Sequence, residues 1–281
     1  MPKVRLDVLL VERGLAESRA KAQAIIMAGQ VRVADQVALK PATTVDAKAA
    51  LTIDYGPRFV SRGGEKLDAA LEVFDIDVSG FVCADVGAST GGFTDCLLQR
   101  GAMKVYAIDV GKGILHWKLR NDNRVVVMEQ TNARYVESLP EQVGFVTVDA
   151  SFISLKILLP VIKKWVSPSP LAPLPASTSL PLRSARQGNV VALVKPQFEA
   201  GKKDVSRGDG VIRDPETHKQ VLLDVLGFAQ QEEFQIRGLI KSPLLGPKGN
   251  AEFLVWLDQA EVENGSGDFG QMVERVLEKP Q

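Results

Sequence analysis

With 281 residues, 45% of them hydrophobic and 24% charged, the chain is long enough for a full core and for more than one domain. Its 34 basic and 34 acidic side chains cancel, which excludes a polybasic tail as the main binding device and leaves nucleic-acid contact to locally clustered charge. The two cysteines, Cys83 and Cys96, form no C-x-x-C pair and read as buried free thiols, and His116 and His218 lie too far apart to suggest a metal site. No segment approaches the ~18 apolar residues of a membrane span, and the first residues lack the apolar core of a leader, so a soluble, cytoplasmic protein without metal is expected.

Residues 4 to 15 read as a short amphipathic helix stopped at Gly14. Ser18 can cap a second helix, Arg19 to Ala28, with Ala22, Ile25 and Ile26 on its apolar face and Gly29 at its end. Strands are expected at 31–34 and 50–53. Arg5, Arg19, Lys21 and Arg32 can share one face and meet a phosphate backbone; a solvated helix face is the plain alternative. The stretches Arg5-Leu6-Asp7, Ser18-Arg19-Ala20-Lys21-Ala22 and Gly29-Gln30-Val31-Arg32-Val33 occur in an order that resembles the S4 RNA-binding domain, which implies an S4-like RNA-binding unit over residues 1–55.

Tyr55-Gly56-Pro57-Arg58 marks a boundary, and residues 56–64 read as a linker that also holds Arg62, a further candidate RNA contact. The stretch from Phe59 then opens a helix with Leu67, Ala70, Leu71 and Phe74 on one side. Lys66 falls in its first turn, where the helix dipole disfavours a cation, so it is either a tolerated surface lysine or has a use other than helix stability.

From residue 81 strand and helix alternate as in a parallel α/β sheet, with strands expected near 81–86, 103–108, 124–128, 143–149, 189–195, 234–241 and 251–257. Residues 167–188 break the pattern with a Pro/Ser-rich stretch that can neither continue a helix nor enter a sheet; it reads as an insertion in a domain spanning 65–281. Trp117, Trp165 and Trp256 read as packing residues.

The turn from Asp85 to Asp95 follows the first of these strands and opens a helix. Its glycines fit neither G-x-G-x-x-G nor the P-loop spacing. Gly87-x-x-x-Gly91-Gly92, with an acid just ahead, resembles the S-adenosylmethionine loop of Rossmann-like methyltransferases, and implies a seven-stranded methyltransferase sheet. The cofactor candidates are Asp85, Gly87, Ser89, Gly91, Gly92, Phe93 and Thr94 in the turn, then Asp109 and Val110, Asn132 and Asp149. Asp109, ending the second strand, can accept ribose hydroxyls, and Asn132 can meet an adenine edge or simply cap a helix. A glycine turn that only packs a helix on a sheet is the plain alternative.

Three charged residues close or open apolar strands at the end where an α/β sheet binds ligands: Asp149, Lys195 and Glu252. Such charges are costly unless paired, and Lys66 can join them as a mutual cluster. The set Lys66, Asp149, Lys195 and Glu252 resembles the catalytic tetrad of FtsJ-like ribose 2′-O-methyltransferases. With the S4-like unit, the chain resembles the TlyA family, ribosomal RNA methyltransferases once called haemolysins. The resemblance implies S-adenosylmethionine as cofactor, ribosomal RNA as partner, and a cytidine ribose in 16S rRNA, 23S rRNA or both as acceptor. Lys195 would take or guide the hydroxyl proton, Asp149 would orient it, and Glu252 would position Lys66 or the ribose.

Other chemistries lack their residues. Amino methylation of bases uses [DN]-P-P-[YF] where this chain has Asp149-Ala150-Ser151-Phe152, and neither cysteine is placed as a nucleophile. A polar, basic loop from Glu199 to Gly208 can close over RNA or be plain surface. Two readings from other classes stay open: a catalytically idle RNA- or ribosome-binding protein, and a membrane-lytic protein.

Overall fold

Helical spacing of Leu6, Leu9 and Leu10 turns all three to the buried side of α1 (Leu6–Glu12), where they meet Ala22, Ile25 and Ile26 of α2 (Arg19–Met27). This packing belongs to the first of two compact units, Met1–Arg58 and Phe59–Gln281, in a computed structural model that describes residues 3–166, 188–200, 210–259 and 269–278. Ser18 caps α2 by accepting the Lys21 N–H at 3.2 Å.

The expected first helix is shorter than its pattern. Lys3–Arg5 form a strand, β1, paired antiparallel with β4 (Thr44–Asp46) through Val4 and Val45. Val4 is half-buried against the same core as Leu6, and three residues are too few for strand alternation to stand out ahead of the helical spacing that follows. β2 (Val31–Val33) pairs with β3 (Gln36–Ala38) and with β5 (Leu51–Ile53). The β2–β3 turn places Ala34 and Asp35 at φ 46° and 66°, a left-handed pair that Asn-Gly usually signals and Ala-Asp does not.

The first unit is organised around a buried acid. Asp7 has no solvent exposure, and its carboxylate accepts hydrogen bonds from Arg5 at 3.0 Å, Arg19 at 3.0 Å and Gln23 at 2.9 Å. These tie β1, α1 and α2 at one point.

In the second unit, α3 (Gly63–Val73) precedes β6 (Val82–Val86), α4 (Gly92–Gln99), β7 (Lys104–Ile108), α5 (Trp117–Arg120) and β8 (Val125–Met128). Then come β9 (Phe145–Val148), α6 (Leu155–Ile162), β10 (Asn189–Val194), α7 (Pro196–Glu199), α8 (Pro215–Gln231), β11 (Gln235–Lys241), β12 (Phe253–Asp258) and α9 (Phe269–Glu278). The strands form one sheet in the order β11-β12-β10-β9-β6-β7-β8, parallel except for β12, which runs antiparallel to both neighbours. Both faces are covered, so its strands read as continuous apolar runs. Val82, Ala84 and Val86 face one core with Leu158 and Leu222, while Cys83 faces the other with Leu67 and Leu97.

Part of the expected linker packs into the second unit. Phe59 is buried with Leu67 and Leu71, against Gly64, where a Cβ would collide with its ring. Apart from Gly188, the expected insertion at 167–188 lies outside the described residues, as does 201–208 of the expected polar loop. Trp165 is buried as expected, but Trp117 is 70% exposed. Leu119 supplies the buried side of the short α5, leaving the ring of Trp117 to solvent.

Hydrogen bonding from Arg5, with further help from Gln23 and Arg19, holds the Asp7 carboxyl well below the usual carboxylate range. A lowered folded-state pKa contributes stability that is full above the unfolded value near 4 and is lost as pH falls below it. Protection of residues 3–54 against hydrogen exchange in the full chain should therefore weaken below about pH 4, and Asp7→Asn should flatten that dependence while costing about 1–3 kcal/mol at neutral pH. An unchanged acid dependence in the variant would count against this role.

Candidate active site

The turn after β6 is shaped by close backbone approach. Gly87 has φ 82°, and a Cβ there would lie 2.7 Å from the Asp149 carbonyl oxygen and 2.9 Å from Ala150. A Cβ on Gly92, at the start of α4, would lie 2.8 Å from the Gly64 nitrogen in α3. The turn is thus wedged between the segment that carries Asp149 and the helix that carries Lys66.

Asp85 supports this turn from below. It is fully buried and accepts hydrogen bonds from Thr94 Oγ1 at 2.7 Å and from Thr147 Oγ1 at 3.0 Å, its register partner on β9. Its carboxylate also accepts from the Thr94 backbone, in the first turn of α4, so it acts as a cap rather than a wall of the site. Thr94, equally buried, is its partner. Sequence alone did not show this inward turn, because the decisive neighbour, Thr147, is remote in the chain.

Asp109, just after β7, accepts the Ser89 N–H at 2.8 Å and the Gly111 N–H at 2.7 Å, one on each oxygen. Each oxygen keeps a lone pair for a further donor. Val110 beside it is 68% exposed. Asn132 caps the turn Ala133–Tyr135 by accepting the Arg134 N–H at 3.2 Å, so the capping role expected as the alternative is the one its side chain makes. Glu129, absent from the sequence expectations, accepts from the backbone of Gly113, Ile114 and Leu115 and from Arg120, folding the loop whose His116 N–H donates to Thr90.

The four charged candidates form two ion pairs. Lys66 Nζ lies 2.6 Å from Glu252 Oε2, and Lys195 Nζ lies 2.6 Å from Asp149 Oδ1. Both lysines are 8% exposed and Glu252 is 1% exposed. Lys195 also donates to Ser151 Oγ at 3.0 Å and the Asp149 carbonyl at 3.3 Å, so its three N–H donors each meet an acceptor. A cavity of about 220 Å³ has Lys66, Asp149, Gly87, Ser89, Phe93 and Arg62 in its wall, which brings one member of each pair to a common space beside the turn.

Sequence reading missed one part of this wall and one feature of the segment that follows Asp149. The segment between β11 and β12 contributes Leu244, Leu245 and Pro247, and its Gly246 is so near Glu252 that a Cβ would lie 2.5 Å from Oε1. Phe152 has φ 64° and a ring 90% exposed, 4.9 Å from the ring of Phe198. A bulky residue in that backbone region is an outlier.

The RNA candidates divide. Arg5 and Arg19 are bound to Asp7 yet keep 43% and 56% of their side chains exposed. Arg32 donates to the Asp35 carbonyl and sits 3.9 Å from Asp54, while Lys21 and Arg62 are exposed. Among the described residues no group of His, Cys, Asp or Glu is arranged to hold a metal, and no helix is long and apolar enough to cross a membrane.

Comparison with known proteins gives an FtsJ-like methyltransferase match over residues 59–259 and an S4 domain match over residues 4–51. The Bacillus subtilis protein YqxC, provisionally named an rRNA methyltransferase, is 45% identical over 96% of this chain and 89% of its own. The 16S/23S rRNA (cytidine-2'-O)-methyltransferase TlyA of Mycobacterium tuberculosis is 46% identical over 91% of this chain and 90% of its own. A solved structure from Streptococcus thermophilus, described as a candidate hemolysin, superposes with a TM-score of 0.68 at 40% identity, covering 98% of this chain and 96% of that one.

Burial pushes the Asp85 carboxyl up to about 7 despite its hydrogen bonds from Thr94 and Thr147. A raised folded-state pKa contributes stability that is full below the unfolded value near 4 and is lost as pH rises through about 7. The thermal midpoint of the second unit should fall between about pH 4 and 7 and level off above, and Asp85→Asn should remove most of that fall. Parallel pH profiles for the two proteins would refute this assignment.

Proposed function

This chain belongs to the TlyA family, an FtsJ-like methyltransferase domain joined to an S4 domain, and from that premise we propose that it methylates a ribose 2′-hydroxyl of ribosomal RNA, on a cytidine of 16S rRNA, 23S rRNA or both. The observation that carries the reading is the pairing of Lys66 with Glu252 and of Lys195 with Asp149, with Lys66 and Asp149 in the wall of one cavity beside the glycine turn.

S-adenosylmethionine, when bound, supplies an electrophilic methyl group on a cationic sulfonium. The residues present suit it. Asp109 retains acceptor capacity for ribose hydroxyls, Val110 offers apolar surface beside it, and Gly87 to Phe93 leave main chain open to close approach. Each lysine is matched by an acid, so the site does not oppose a cationic ligand with unpaired positive charge. Asn132, occupied as a cap by its oxygen, keeps its amide donors for an adenine edge.

The acceptor is a weak nucleophile, so positioning is the main demand on the protein. Lys195 takes or guides the hydroxyl proton as the oxygen accepts the methyl, and Asp149 orients its amine. An incoming ribose hydroxyl takes the place of the exposed Ser151 hydroxyl, and its proton passes to the Lys195 nitrogen once the N–H that pointed to Ser151 has been given up to solvent. Glu252 fixes Lys66 in the wall of the same cavity. The exposed ring of Phe152, braced by Phe198, offers a stacking platform for a base drawn out of its helix. Arg5, Arg19, Lys21, Arg32 and Arg62 supply phosphate contacts. The reaction takes place on ribosomal particles and hence in the cytoplasm.

An idle RNA-binding protein has no need to bury two lysines against two acids at a strand end. Incubation with labelled S-adenosylmethionine and separate small subunits, large subunits and whole ribosomes decides between the readings. Incorporation at a ribose is expected from the wild type, and Lys195→Ala should lower turnover by about 10²–10⁴. Phe152→Ala should weaken RNA binding by roughly 1–3 kcal/mol with cofactor affinity intact. Bound cofactor without label on any intact particle would leave RNA binding as the activity.

A further inference from the structure

The two segments that carry the Lys195 half of the site are joined at more points than the ion pair. Residues 149–154 leave β9 and lead to α6, and residues 195–199 leave β10 and form α7. At one end Lys195 meets Asp149 at 2.6 Å, and between the ends the Phe152 and Phe198 rings pack at 4.9 Å. At the other end the Glu199 carboxylate accepts from Ser154 Oγ at 2.5 Å and from the Leu155 N–H at 2.7 Å.

Capping alone does not account for Glu199. Helix α6 already has a cap in Ser154, whose Oγ accepts the Lys156 N–H at 3.1 Å. Glu199 instead reaches in from another strand, and its carboxyl is pushed up by burial although both hydrogen bonds and Lys156 act the other way. Placing a carboxylate there is therefore costly, and satisfying the single Leu155 N–H of the helix does not require a charged group from another strand.

The segment it grips does require an anchor. Between Asp149 and Ser154 the chain passes through Phe152 at φ 64°, a strained conformation that persists only where the surroundings enforce it. Solvent surrounds most of the Phe152 ring, so its own burial does not enforce it. The enforcement comes from the two ends, Asp149 on Lys195 and Ser154 with Leu155 on Glu199. Asp149 and Ser151, both partners of Lys195, lie on this strained stretch.

We propose that Glu199 is a positioning residue for methyl transfer, clamping residues 149–154 against α7 so that Asp149 holds the Lys195 amine in its reactive direction. The inference rests on the methyl-transfer reading above.

The test uses the full chain with Glu199→Ala, Glu199→Gln and Glu199→Asp, on whichever ribosomal particle the wild type methylates. It reads kcat and KM, the Kd for S-adenosylhomocysteine, and the thermal midpoint. Glu199→Ala should lower kcat by about 10- to 100-fold while the Kd changes less than about twofold. Glu199→Gln keeps an oxygen for the Leu155 N–H and can donate to Ser154, and should recover kcat to within about threefold of wild type. Glu199→Asp, one methylene short of its partners, should resemble Glu199→Ala and replaces it if the alanine variant does not fold. A lower thermal midpoint with unchanged kcat, or an effect on KM alone, would show a stabilising cap and overturn the proposal. A wild type that labels no particle overturns the methyl-transfer reading and this inference with it; an active wild type beside an equally active Glu199→Ala overturns this inference alone.

Discussion

The backbone that follows β6 lies directly against the backbone that follows β9, and only a residue without a Cβ at position 87 allows it. This contact sets the spacing between the glycine turn and Asp149, and through Asp149 the location of Lys195. Gly92 repeats the constraint on the other side, where α4 meets α3 near Lys66. Three segments remote in sequence thus converge on one cavity because their main chains touch there, and the side chains inherit their positions.

Charge is handled by neutralisation in place. Lys66, Glu252 and Lys195 are buried at the end of an apolar sheet, and an isolated ion at such a site would be strongly disfavoured. Pairing removes most of that penalty but leaves little net stabilisation, so the arrangement is better understood as stored polarity than as a brace for the fold. The N-terminal unit treats Asp7 differently. There one acid gathers two guanidinium groups and an amide, and the result is a joint between elements whose basic side chains still present half of their surface to water.

Much of this was legible in the sequence. The seven strands of the large sheet stand out as apolar runs because both faces are covered, and their ends fall within two residues of the expected ones. Asp149, Lys195 and Glu252 stand out for the same reason, as charges interrupting such runs. What stayed hidden depends on partners in space. β1, β3 and β4 have three residues each, too few for periodicity to register, and the Ala34-Asp35 turn lacks the usual glycine. Asp85 was expected to face a ligand, and only its register with Thr147 reveals that it points inward. Phe152 looked like one more apolar residue, since nothing in its neighbours announces a left-handed backbone or an exposed ring.

The antiparallel strand β12 has a consequence for how the protein comes into being. It is the last strand of the sheet in sequence, yet it lies between β10 and β11 and brings Glu252 to Lys66 across 186 residues. While the chain is still being synthesised, β11 has no neighbour in the sheet and Lys66 has no acid. The residue that completes the site arrives with the strand that completes the sheet, so partly made chains do not hold a finished site, and competence begins only when this domain has closed.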